Sequence, residues 1–178
     1  MSDHTQIKIT EIYQIQSDNV FKYIYYMVRD QHVAEDLTQE TFINVYKSIN
    51  EFRHDSNILT WILKIARNVT FDYLKKKRIK NLIDIDRLVN SLKNEQETLN
   101  ELLIQSEDVR NLYQSLNALK KDYKEVLILR KINECSIKET ANVLNWTEDK
   151  VKSMTSRALI QLRKEYKKGE EKINESFR

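Results

Sequence analysis

The sequence predicts an all-α protein: two small helical bundles joined by an acidic linker, the second containing a helix-turn-helix. Three observations lead there. The 178 residues include one glycine, Gly169, and no proline, whereas sheets need turn-forming residues every few positions. Long stretches are rich in Leu, Ile, Lys, Glu and Gln, which lose little rotamer freedom on entering a helix. Apolar residues recur with a helical period. The length fits one domain or two small ones, at roughly 100–200 residues per domain.

The first helix is marked by Ile9, Ile12 and Tyr13, then Val20, Phe21, Ile24, Tyr25 and Val28. A second, from about His32 to Asn50, places Ala34, Leu37, Thr41, Val45 and Ile49 on one face. Opposite them, Asp36, Gln39, Glu40 and Ile43 follow one another at i, i+3, i+4 and i+7. An acidic patch with an apolar neighbour suits a basic protein partner better than DNA, although a merely solvated face has the same composition.

The stretch Arg53-His54-Asp55-Ser56-Asn57 reads as a turn, because Asp, Ser and Asn side chains bond nearby backbone. A third helix, from about Thr60 to Lys77, buries Ile62, Ile65, Ala66, Val69 and Tyr73. Trp61, Lys64, Asn68, Phe71 and Lys75 line another of its faces and run into a basic cluster, Lys75, Lys76, Lys77, Arg78 and Lys80. Aromatics that stack bases beside cations that hold phosphates are what single-strand capture needs. Trp61 fits a core position equally well.

The net charge of +3 is mild, and its distribution says more. Residues 82–108 carry seven acids against Arg87 and Lys93, and residues 150–168 carry seven bases against Glu165. The order basic, acidic, basic suggests two surfaces for a polyanion separated by a segment that avoids one. The linker runs from Lys80 to about Asp108, with scattered Leu88, Leu92, Leu99, Leu102 and Leu103. A second bundle starts near Leu112, with Leu112, Leu116, Leu119, Tyr123, Val126 and Leu127 as its first apolar stripe.

Within it, Ser136-Ile137-Lys138-Glu139 reads as a capping box. That box opens a helix carrying Ile137, Thr140, Ala141 and Leu144 inward. Asn145 stands where a tight turn needs left-handed backbone, which Asn tolerates. Thr147 caps the next helix, with Glu148 and Asp149 at its positive end. There Val151, Thr155, Ala158 and Leu162 face inward, and Lys152, Ser153, Ser156 and Arg157 face out. A helix-turn-helix of this kind can lay its second helix in a major groove, where basic groups meet phosphates or guanine and serines meet bases or backbone. An ordinary hairpin with a solvated basic face fits the same pattern.

Cys135 is the only cysteine, so no internal disulfide forms and a reducing compartment is expected. The N-terminus is polar, and no run approaches the roughly 18 apolar residues of a membrane span. There is no glycine-rich phosphate loop and no Cys/His cluster, and His4, His32 and His54 are dispersed. A cytoplasmic protein without membrane insertion, cofactor, metal or catalytic residue is expected.

Taken together, these segments resemble the extracytoplasmic-function sigma factors, the smallest members of the sigma-70 family. The resemblance rests on Ala34-Glu35-Asp36-Leu37-Thr38-Gln39-Glu40-Thr41-Phe42, on Thr60-Trp61-Ile62-Leu63-Lys64-Ile65-Ala66-Arg67-Asn68, and on Asp72-Tyr73-Leu74. Val151-Lys152-Ser153 and Arg157-Ala158 add to it. It implies sigma region 2 over residues 1–80, a linker over 81–110 and sigma region 4 over 111–178. It further implies a factor that binds core RNA polymerase through the β′ clamp and the β flap and directs promoter recognition and melting.

By the same resemblance, Asp36, Gln39 and Glu40 dock on the clamp helices. Residues Phe52–Asn57 and the helix that follows open and read the −10 element, with Asn57, Trp61, Lys64, Asn68 and Lys75 at the DNA. Arg130, Lys152, Ser153, Ser156 and Arg157 contact the −35 element. The acidic linker threads the polymerase's RNA path, and an anti-sigma factor is a further partner. Three positions depart from the family pattern: Asn145 stands where Gly is usual, Met154 where a base is usual, and Thr155 where an aliphatic residue is usual. The last two predict a weaker or altered −35 contact. Two other readings remain at this point: a helix-turn-helix regulator that binds operator DNA without core polymerase, and a protein-interaction module that holds polymerase or an inhibitor without initiating.

Overall fold

The computed structural model describes residues 3–53, 56–84 and 107–176, with side chains described over 9–53, 56–81 and 108–171. Seven α-helices occur among them: α1 (Asp3–Val28), α2 (Gln31–Ser48), α3 (Ile58–Asp84), α4 (Glu107–Asn117), α5 (Lys121–Leu127), α6 (Ile137–Leu144) and α7 (Glu148–Ser176). A 3₁₀ turn, Ile49–Glu51, follows α2, and a π turn, Ile128–Ile132, prolongs α5. No strand occurs among the described residues. The chain divides into two compact units, Met1–Leu99 and Asn100–Arg178.

Helix enters the expected linker at both ends, since α3 runs on to Asp84 and α4 begins at Glu107. Residues 85–106, with most of the linker's acids, lie outside the described residues, as do His54 and Asp55.

In the first unit α1, α2 and α3 pack against one another in all three pairings. Their contact buries Val20, Tyr23 and Ile24 from α1, Ala34, Leu37 and Val45 from α2, and Ile62, Leu63 and Ala66 from α3. Helix α2 begins where it does because the Asp30 carboxylate accepts from the Val33 amide at 3.0 Å, satisfying one of the end groups that lack a helical partner. Thr38, Thr41 and Thr70 are buried, yet each hydroxyl donates to the carbonyl four residues earlier at 2.7 Å. Those polar groups are satisfied inside their own helices, so an apolar core closes around them.

In the second unit α7 is the spine, with α4, α5 and α6 all packed on it. The apolar stripe expected to run from Leu112 to Leu127 is broken in the structure into α4 and α5. Lys120, at φ −58° and ψ 147°, is extended and ends the first run. Leu116, Leu119, Val126 and Leu127 are buried, but Leu112 is 47% exposed. With Val109, Leu162 and Tyr166 it lines an apolar groove of about 590 Å³ between α4 and α7, edged by Asp108, Arg163, Lys167 and Glu170.

Gly169, the chain's lone glycine, lies within α7 beside Asn111 of α4. A Cβ at 169 would overlap the Asn111 Oδ1 and stand 2.6 Å from its Cγ. Asn111 itself is buried, and its Nδ2 donates to the Tyr166 carbonyl at 3.0 Å. Among the described residues, the left-handed positions are instead held by residues with side chains: Arg29 (φ 64°), Glu134 (φ 55°) and Asn145 (φ 55°). For most such residues this geometry costs roughly 1–2 kcal/mol, Asn being among the more tolerant.

Candidate functional sites

On α2 the side chains of Asp36, Gln39 and Glu40 are exposed, opposite the buried Ala34, Leu37, Thr41 and Val45. Ile43 joins them at 54% exposure. Phe42 is buried, and Tyr13 of α1 meets its ring edge-on, 4.8 Å between centroids. Two carboxylates, an amide and a bare aliphatic side chain lie exposed together, a composition that attracts cations and repels a phosphate backbone.

Helix α3 starts at Asn57, whose Oδ1 accepts from the Leu59 amide at 3.1 Å while its carbonyl accepts from the Trp61 amide at 3.2 Å. Asn57 therefore sets where the helix begins as well as standing at its exposed mouth. Trp61 is half-buried and tilted against Phe52, with ring centroids 5.2 Å apart. It is therefore neither a fully buried core residue nor a fully exposed one. Lys64, Asn68 and Lys75 are exposed, as are Lys76, Lys77, Arg78 and Lys80. Phe71 is half-buried under the Arg67 guanidinium, 4.6 Å from the ring centre. Arg67 escapes a reading by composition, though its place four residues before Phe71 is the spacing at which helical side chains meet.

In the second unit the local chemistry sets the turn of the helix-turn-helix. Glu139 N donates to Ser136 Oγ at 3.2 Å, and Ser136 N donates to Glu139 Oε2 at 2.7 Å, closing a capping box at the start of α6. Asn145 ends that helix in the left-handed conformation. Thr147 Oγ1 accepts from the Lys150 amide at 3.2 Å and opens α7. Along α7, Val151 and Ala158 are buried and Thr155 and Leu162 half-buried, while Lys152, Ser153, Ser156 and Arg157 are exposed together.

Arg130 lies in the π turn, half-buried, and its guanidinium donates to the Cys135 carbonyl. That bond ties the π turn to the residue just before the Ser136 cap of α6. Cys135 is buried, and burial above all pushes its thiol from the ordinary 9.0 to about 11. Met154 is half-buried.

Two further contacts lie at the start of α7. Lys152 Nζ reaches the Asp149 carboxylate at 3.1 Å, and the Lys150 ammonium sits 4.1 Å from the centre of the Trp146 ring. Among the described residues no group of three or more His, Cys, Asp or Glu could hold a metal ion. None of the described helices is long and apolar enough to cross a membrane.

Known proteins share both units. The family model Sigma-70 region 2 matches residues 12–79, and Sigma-70, region 4 matches residues 110–162. The ECF RNA polymerase sigma factor SigX of Bacillus subtilis (strain 168) is 37% identical over 158 residues, covering 86% of this chain and 80% of that protein. SigM of the same organism, also an ECF RNA polymerase sigma factor, is 34% identical over 161 residues, covering 90% and 96%. In fold, the chain is similar to the sigma factor RpoE of Bartonella quintana, solved in complex with the anti-sigma factor NepR. The TM-score is 0.71 at 23% identity, over 90% of this chain and 97% of that one.

Proposed function

This chain belongs to the extracytoplasmic-function subfamily of the sigma-70 family, and from that premise we propose how its surfaces divide the work of initiation. It is a sigma factor: it binds core RNA polymerase and directs promoter recognition. In this reading Asp36, Gln39 and Glu40 dock on the β′ clamp, with Ile43 as an apolar anchor beside them. Asn57, Trp61, Lys64, Asn68 and Lys75 meet the −10 element. Lys152, Ser153, Ser156 and Arg157 meet the −35 element, and the second unit also engages the β flap. Arg130 joins them at the −35 element by the same resemblance, and also holds the approach to α6 through its bond to the Cys135 carbonyl.

The observation that carries the reading is the pair of unlike surfaces on the first unit. An acidic face for a protein and an aromatic–basic stripe for nucleic acid lie on neighbouring helices. A regulator that binds operator DNA by itself needs neither. Strand opening requires no catalytic residue, because extruding a base costs a few kcal/mol that capture in a stacking pocket offsets. We accordingly read the protein as a non-enzymatic factor of the cytoplasm, where its single buried thiol stays reduced. An anti-sigma factor belongs among its partners, as for the similarly folded RpoE.

Run-off transcription with core polymerase tests the reading as a whole, with start sites expected at a fixed distance from shared −35 and −10 elements. Asp36→Arg combined with Glu40→Lys should abolish co-purification with core while leaving the thermal unfolding midpoint unchanged. Wild-type recovery of the double variant with core would overturn the clamp assignment.

A further inference from the structure

We propose that Asp149 is a base-reading residue of α7, accepting a hydrogen bond from the exocyclic amine of a cytosine in the −35 duplex. The inference rests on the reading that α7 enters the major groove, and adds to it a residue and a base preference.

Val151, Thr155, Ala158 and Leu162 point into the second unit. At about 100° per residue, the line directly opposite them runs through Asp149, Ser153, Ser156 and Ile160. All four are exposed, with the Asp149 side chain at 93% and Ile160 at 67%. The cations stand to either side of this line, Lys152 on one flank and Lys150 with Arg157 on the other. A helix laid in a major groove sends its flanks toward the two phosphate strands and its centre line toward the base edges. The centre line therefore begins, at the N-terminal end where such helices reach bases, with a carboxylate.

A carboxylate in that place has few possible partners. It repels phosphates and has no hydrogen to donate, so it can only accept. The major groove offers two amino groups, cytosine N4 and adenine N6. On adenine the amine lies beside the N7 acceptor, which a carboxylate oxygen would oppose; on cytosine no acceptor adjoins it within the same base. Cytosine is the better match.

The neighbouring cations are arranged to make this tolerable. Lys152 Nζ, 3.1 Å from Asp149 Oδ1, engages one carboxylate oxygen and orients the group. Lys150 is drawn toward Trp146, 4.1 Å from its ring centre, on the opposite flank. A role limited to the helix is the competing account, because an acid in the first turn also favours the positive end of a helix.

The test uses the full chain with core polymerase and a set of promoter duplexes in which each −35 position carries each base in turn. Wild-type protein is expected to prefer cytosine at one position by roughly tenfold. Asp149→Ala should remove the preference at that position alone and strengthen binding to mismatched DNA, since an anion has left the interface. Asp149→Asn should move the preference toward adenine, whose N6 and N7 an amide matches. Unchanged discrimination by Asp149→Ala at every position overturns the proposal. So does an equal loss across all sequences accompanied by a lower unfolding midpoint, which would assign Asp149 to helix stability. Arg157→Ala, measured alongside, separates the two levels of inference. If it weakens binding while Asp149→Ala leaves discrimination intact, only the present proposal falls; if it too is without effect, the placement of α7 in the groove falls with it.

Discussion

Replacing Gly169 by Ala should destabilise the second unit, although helix propensity alone predicts the reverse. In the interior of α7 the change gains about 1 kcal/mol from propensity. Against that, the added methyl overlaps the Asn111 Oδ1 and stands 2.6 Å from its Cγ. Asn111 is short, buried, and fixed by its bond to the Tyr166 carbonyl, so it cannot swing aside without leaving a buried donor unpaired. That loss costs about 1–3 kcal/mol, and overpacking adds about 1–3 kcal/mol. The net loss is about 1–5 kcal/mol, and each kcal/mol lowers the midpoint of a unit this small by about 4–8 °C. Thermal unfolding read by Trp146 fluorescence in a Trp61→Phe background isolates the second unit, because each unit holds one of the two tryptophans. In an Asn111→Ala background the obstacle is gone, and Gly169→Ala should become neutral or stabilising by up to about 1 kcal/mol. An unchanged or raised midpoint for Gly169→Ala in the otherwise native chain would refute the reasoning.

Other outcomes test the remaining surfaces. Trp61→Ala and Asn68→Ala should bind duplex promoter but impair opening, through loss of stacking worth about 1–3 kcal/mol per base or of base reading. Permanganate footprinting beside a gel shift checks this, and a mismatched −10 bubble should rescue Trp61→Ala better than Asn68→Ala. If Trp61→Ala unfolds the first unit, its packing on Phe52 outweighs any part in melting. Lys152→Ala and Arg157→Ala should each weaken promoter binding, by about 1–3 kcal/mol where a base contact is lost. Where a phosphate contact is lost, all sequences should weaken alike with a shallower salt dependence, and unchanged affinity in both variants would take α7 out of the interface. For Cys135, burial raises the folded thiol to about 11 from the ordinary 9.0. The folded state therefore keeps its proton longer than the unfolded chain, and the associated stability is complete below about pH 9 and lost as the pH rises toward 11. Cys135→Ala should flatten that part of the stability profile in denaturant titrations run between those pH values.

Features that depend on neighbours three or four residues away were legible before any coordinates. The Ser136–Glu139 box, the left-handed Asn145 and the Thr147 cap all belong to this class, as do the opposed faces of α2. Features that depend on distant partners were not. Nothing near Gly169 in sequence announces Asn111, which meets it only because α4 and α7 pack together. The break between α4 and α5 falls on Ala118-Leu119-Lys120, with only Asn117 and Asp122 beside it and no Gly or Pro, so the two helices read as one stripe. The bond from the Arg130 guanidinium to the Cys135 carbonyl, made across a π turn, likewise has no mark in the sequence. Asp149 was read as a favourable helix-end charge, and its place on the outward line emerges only once the buried side of α7 is known.

The way α7 serves as the spine of the second unit has a consequence for the order of assembly during synthesis. The first unit closes through pairings among three consecutive helices, a local topology of the kind that forms quickly. It can complete its core while later residues are still being added, as domains that fold in turn from the N-terminus do. The second unit has no such option, because α4 and α5 have their principal packing surface on a helix that follows them in the chain. The proposed polymerase-docking face is thus ready first, and the helix proposed to read DNA forms in the same event that closes the core behind it. Since the chain contains no proline, neither stage waits on the isomerisation that takes tens of seconds in other proteins. Refolding of the full chain should therefore lack a slow phase that a prolyl isomerase accelerates.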